Sequence, residues 1–141
     1  SALLVDFVEQ AAHGDHTPME IMEMYSRFFY RLMKEHPYIL RIFSWEMIHP
    51  TDVFASIGKE RFAMVLVVLR GALTEGIEEG CFRKDLKPTE VCISWAGMVA
   101  YYYLMNEIKK RFSVKEEITE DSYMHQAFDV LMNGIKNKEI G

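Results

Sequence analysis

The chain has 141 residues, 50% of them hydrophobic and 26% charged, which fits one domain over 1–141 burying roughly 68% of its unfolded surface. Its net charge is −5, and the basic residues are scattered apart from Lys109, Lys110 and Arg111, so no stripe exists that would neutralise a phosphate backbone. Two cysteines, Cys81 and Cys92, form no CxxC pair, which argues against a disulfide scaffold or a zinc site and fits a cytoplasmic protein.

The predicted elements are helices throughout, because apolar residues recur at three- and four-residue spacing and no strand alternation persists. The opening "SALLVDF" lacks a Met. A leading Ser-Ala is what a cleaved tag leaves, so the natural protein is expected to extend upstream. The first helix runs from about Ala2 to His13, with Leu4, Phe7, Val8 and Ala11 on one face. In "HGDHTP", Gly14 ends it, and Thr17 caps a second helix that Pro18 starts. That helix reaches about His36, carrying Met22, Tyr25, Phe29 and Met33 on one stripe beside Ile21, Met24, Phe28 and Leu32. Pro37 sets a boundary, and a shorter third helix follows through "YILRIFSWEMIH" to Pro50.

Thr51 or Asp52 caps a fourth helix that continues to about Glu79. It includes "FAMVLVVLRGAL", apolar nearly all round and therefore expected at the centre of the core. Gly80 stops it, and Lys87-Pro88-Thr89-Glu90 opens a fifth helix to about Phe112 with Trp95, Met98, Tyr102 and Met105 on one face. A loop, "SVKEEI", leads to Thr119. The last helix then carries Met124, Phe128, Leu131 and Ile135 at helical spacing. The longest apolar run, Val91 to Met105, is broken by Ser94 and holds three tyrosines. It is too short and too mixed to span a bilayer, so no membrane partner is expected.

Between the fourth and fifth helices lies "EEGCFRKDLKPTEV", residues 78–91. Gly80 accepts a positive φ and Pro88 starts a helix without a wasted donor. Phe82 can drop back onto the core as an anchor, with Arg83 and Asp85 in solvent and able to pair. The stretch resembles the turn E-x-G-x-[FL]-R-x-D-[LV]-x-P that joins the seventh and eighth helices of tetracycline-repressor (TetR) family transcriptional regulators. The likeness covers essentially the whole chain, whose helix number and lengths match that family's C-terminal domain from its fourth helix onward. One departure stands out. The family's helix-turn-helix headpiece, which binds DNA, is not among these 141 residues, so operator binding is expected only of a parent protein that carries it.

The resemblance implies an all-α antiparallel bundle of about six helices. It also implies that the last two helices, about 88–112 and 119–138, pair with their symmetry mates in a four-helix homodimer interface. Independently of the family, the segment 91–105 is apolar on more faces than one small domain covers. Ser94, Gly97 and Ala100 would permit close helix approach, with Met124, Phe128, Leu131 and Ile135 the matching positions on the last helix. A central core helix in a monomer is the alternative. The resemblance further implies a cavity for a small effector. Met22, Tyr25, Phe29, Trp45, Phe62, Leu66, Trp95, Met98 and Tyr102 are the expected lining, and as a set they point to a lipophilic or aromatic ligand. Each is equally readable as packed core. Tyr25 and Tyr102 would offer hydroxyls, whereas Arg70 with Thr74 and Glu78 reads as a solvated row.

Other chemistry finds little footing. Glu46 and His49 have the Glu-x-x-His spacing of di-iron bundles but no second copy, and His13-Gly14-Asp15-His16 reads as a solvated loop rather than a metal site. No nucleophile elbow surrounds Cys81, and the glycines form no phosphate loop. Lys109 to Arg111 complement a helix dipole. Neither a cofactor nor a catalytic site is expected. The reading is the effector-binding and dimerisation domain of a TetR-like repressor. Its rivals are a helical module that holds a partner helix in a Met- and aromatic-rich groove, and an all-α enzyme.

Overall fold

A computed structural model describes residues 2–112 and 118–138, excepting the side chains of Val53, Phe54, Ile57 and Glu107. The expected loop at 113–118 lies, but for Ile118, outside the described residues. The described chain forms six helices: α1 (Ala2–His13), α2 (Pro18–Glu35), α3 (Ile39–Ile48), α4 (Asp52–Glu78), α5 (Pro88–Phe112) and α6 (Glu120–Ile135). The fold is all-α. Among the described residues the only strand-like pairing is an isolated antiparallel bridge between Phe82 and Lys136.

Local chemistry explains the boundaries. The Thr17 hydroxyl accepts the Glu20 N–H at 3.2 Å while Pro18 fills the first helical position of α2, and Thr119 accepts the Ser122 N–H at 3.1 Å to start α6. At the α3–α4 junction the Glu46 carboxylate takes the Thr51 N–H at 2.8 Å and its hydroxyl at 3.0 Å. Half of the Glu-x-x-His pair is thus a junction brace, and His49 stacks on Trp45 with ring centroids 4.6 Å apart.

Helix α1 packs on α2 and α4, α2 reaches α6, α4 lies on α5, α5 on α6, and α3 meets α5. Trp95, Phe82, Met22, Leu73 and Val99 are the largest fully enclosed side chains, each worth about 1.5–3 kcal/mol of burial. Helix α4 departs from the sequence reading. Its second half supplies Leu69, Ala72 and Leu73 to the core, but Phe62, Met64 and Val67 stand exposed. Phe62 meets the Phe43 ring of α3 at 6.3 Å, but α3 contributes no buried residue, so it does not enclose the described side chains of the first half of α4.

Candidate functional site

The turn between α4 and α5 fixes how α6 sits. Gly80 has φ of 83°, which lets the chain fold back so that the Phe82 N–H donates to the Gly76 carbonyl at 3.0 Å. The Phe82 ring then enters the core, where any side chain at Gly76 would overlap it. From the far side the chain's last turn closes on this loop. The Arg83 N–H donates to the Ile135 carbonyl at 2.8 Å and the Asn137 N–H to the Cys81 carbonyl at 3.0 Å. Arg83 Nη1 donates to the Gly134 carbonyl at 2.8 Å, and its Nε and Nη2 grip Asp85 at 3.0 and 2.6 Å. Hydrogen bonding to Arg83 holds the Asp85 carboxyl below the usual carboxylate range.

Six of the nine expected lining residues share one interior. Met22, Tyr25, Trp95 and Tyr102 are buried, with Phe29 and Met98 half-buried around them. A run of rings passes from Phe7 to Tyr25 (6.0 Å), Phe29 (6.1 Å), Tyr103 (6.3 Å), Tyr102 (5.2 Å) and Tyr123 (4.7 Å). Leu66 packs half-buried against the core. Trp45 and Phe62 stand apart on the outer surface, 62% and 58% exposed. Arg70 is exposed with Thr74 and Glu78 on α4, as expected of a solvated row.

Polar atoms inside this region are few and unevenly satisfied. The Tyr123 hydroxyl donates to the Met98 carbonyl at 2.6 Å and that of Tyr102 to Ile118 at 3.3 Å. Trp95 Nε1 and the Tyr103 hydroxyl are buried with no partner among the described residues. Burial, then Cys92, raises the Tyr25 pKa, and burial, then Glu120, Tyr30 and Tyr102, raises that of Tyr103. Both phenols stay protonated and remain available as donors. Burial also pushes the Cys92 thiol up to about 11 against the opposing influence of Arg70, so it behaves as a small hydrophobe.

Sequence reading missed a groove of about 1190 Å³ between α2 and α6. Met19, Met124, Phe128 and Met132 contribute its apolar lining, and Glu23, Arg27, Arg31, Asp121, Asp129 and Lys136 its charges. Its two walls lie about a hundred positions apart, and only the methionines on both helices hinted at it.

Helix α5 has two apolar faces. Cys92, Trp95, Val99 and Tyr102 point into the protomer, while Ile93, Tyr101, Leu104, Ile108 and Phe112 are exposed together with Ser94 and Gly97. A Cβ at Gly97 would meet nothing within 4 Å. Of the other expected interface positions, Ala100, Met124 and Phe128 are half-buried, and Leu131 and Ile135 are already enclosed in the protomer's own core.

The family model described as "Tetracyclin repressor-like, C-terminal domain" matches residues 18–137. No curated protein and no solved structure matches the chain. Among the described residues no helix is long and apolar enough to cross a membrane.

Proposed function

Because the chain belongs to the tetracycline-repressor-like C-terminal domain family, a family of regulator domains that dimerise and bind small effectors, we propose that it senses a lipophilic or aromatic molecule for a transcriptional repressor. The observation that carries this reading is the interior built from Met22, Tyr25, Phe29, Trp95, Met98 and Tyr102, where two buried donors lack partners. A structural core leaves few indole N–H and phenol groups unpaired, because each such group carries a cost that a ligand acceptor would remove.

The exposed stripe of α5, from Ile93 through Gly97 and Tyr101 to Phe112, supports pairing with a second copy. It lies along one side of a helix, and the small Ser94 and Gly97 would let two backbones approach. In a repressor carrying a DNA-binding headpiece, effector occupancy would favour a dimer conformer whose headpieces no longer match the operator half-sites. The extent of release is bounded by the effector's differential affinity for the two conformers.

Native mass spectrometry of the freshly purified chain tests both parts. The expected result is a dimer near 33 kDa, twice 16.5 kDa, that accepts a neutral aromatic molecule. A bare monomer at micromolar concentration that takes up no small molecule would overturn the reading. A second reading, a module that holds a partner helix, draws on the α2–α6 groove. The charged residues bordering that groove favour it less, because helix-binding grooves present a continuous apolar surface.

A further inference from the structure

We infer that the groove between α2 and α6 is the effector's binding site, and that the effector is a neutral, largely aromatic molecule whose hydrogen-bond acceptor meets the indole N–H of Trp95. The inference rests on the sensing role proposed above and adds a location and a chemistry to it.

Three observations converge on this groove. Its volume of about 1190 Å³ somewhat exceeds that of ligand sites, typically about 300–1,000 Å³, so a small molecule would occupy part of it. Its apolar part is three methionines and Phe128, and methionine side chains re-pack around varied shapes with little strain. Phe128 is also the link to the interior. Its ring meets that of Trp95 edge to face at 6.2 Å, and Trp95 is fully enclosed with its indole nitrogen unpartnered among the described residues. Trp95 is not itself a lining residue, so a flat molecule would have to displace Phe128 to approach it from the groove side. An acceptor on that molecule would satisfy a donor the protein leaves unpaired.

The charges around the groove argue for a neutral ligand. Arg27 is engaged by Glu23 at 3.4 Å and Arg31 by Glu35 at 3.5 Å, each on its own helix, and Asp129 accepts from Asn133 at 3.1 Å. The arginines therefore do not form a fork aimed at a carboxylate or phosphate. Asp121 and Lys136 complete a lining of mixed sign.

The probe is 6-propionyl-2-dimethylaminonaphthalene, a neutral naphthalene with one ketone, whose emission moves to shorter wavelength when the ketone loses a hydrogen-bond donor. With Trp45→Phe the chain keeps Trp95 as its sole tryptophan. The expected result is saturable binding with energy transfer from Trp95 to the probe. Trp95→Phe should weaken binding roughly tenfold, the effect of one lost hydrogen bond, and shift the bound emission to the blue. Ser122→Phe with Asn133→Phe fills the groove from two exposed positions and should abolish binding at unchanged helicity, so the test holds even if Trp95→Phe fails to fold. Full affinity in the groove-filled variant would overturn the groove assignment while leaving the sensing role intact. Absence of saturable probe binding, or groove capture of a helical peptide but not the probe, would also overturn it. Failure of the sensing role itself reads out separately, as a monomer that takes up no small molecule.

Discussion

The two halves of α4 are of similar apolar character and meet opposite fates. The C-terminal half places Leu69, Ala72 and Leu73 in the core and ends in a turn tied to α6. Among its described side chains the N-terminal half, beside α3, leaves Phe62 and Met64 in the open, and α3 itself exposes Ile42, Trp45, Met47 and Ile48. Hydrophobicity therefore does not decide which side chains are enclosed; the number of elements packed around them does. The difference also bears on dynamics. A segment with few buried contacts opens at lower free energy than one closed by a core ring and backbone hydrogen bonds. The α3 end is thus the softer region, and the turn end is the fixed one.

The sharpest way to break this comparison is Phe82→Ala. The ring is fully enclosed, and its removal should cost about 3–5 kcal/mol in denaturant unfolding. Next comes Gly76→Ala, which sets a methyl group against the same ring and should cost about 1–3 kcal/mol through forced repacking. Asp85→Asn should act more weakly and through pH. Arg83 holds the Asp85 carboxyl below its ordinary value, so its contribution is complete above the carboxylate range and lost as pH falls through the depressed value. An acid titration of stability should therefore flatten at its low end in the variant; an unchanged acid limb would show that the pair contributes nothing. Least of all should change in Trp45→Ala and Phe62→Ala, each within about 0.5 kcal/mol. A loss as large as that of Phe82→Ala would mean that another copy or ligand covers the α3–α4 surface.

Much of this architecture was legible in the sequence because its signals are local. Pro18, Pro37, Pro50, Pro88 and Gly80 punctuate the helices where the structure does, and Thr17 caps as its position predicts, whereas the cap at Thr119 was not read from the sequence. The turn was legible in more detail, since the Phe82 anchor, the Gly80 conformation and the Arg83–Asp85 pair all follow from short-range spacing. What was not legible depends on partners distant in sequence. Trp45 and Trp95 both sit on apolar helices, yet one is exposed and the other enclosed, because only α5 is flanked on both sides. Gly76 looks like an incidental helical glycine until Phe82 folds back over it. The α2–α6 groove exists only once two remote helices meet.

The bonds from Arg83 to Gly134 and from Asn137 to Gly80 span 51 and 57 positions. During synthesis, residues 80–83 therefore leave the ribosome long before the residues that complete their hydrogen bonding, and closing so large a loop carries an entropic cost that local helix formation does not. The last turn of α6 is thus a completion step. Until residues 134–137 emerge, the Arg83 N–H and the Gly80 and Cys81 carbonyls lack these partners, and a nascent chain halted before that point should leave this turn protease-sensitive.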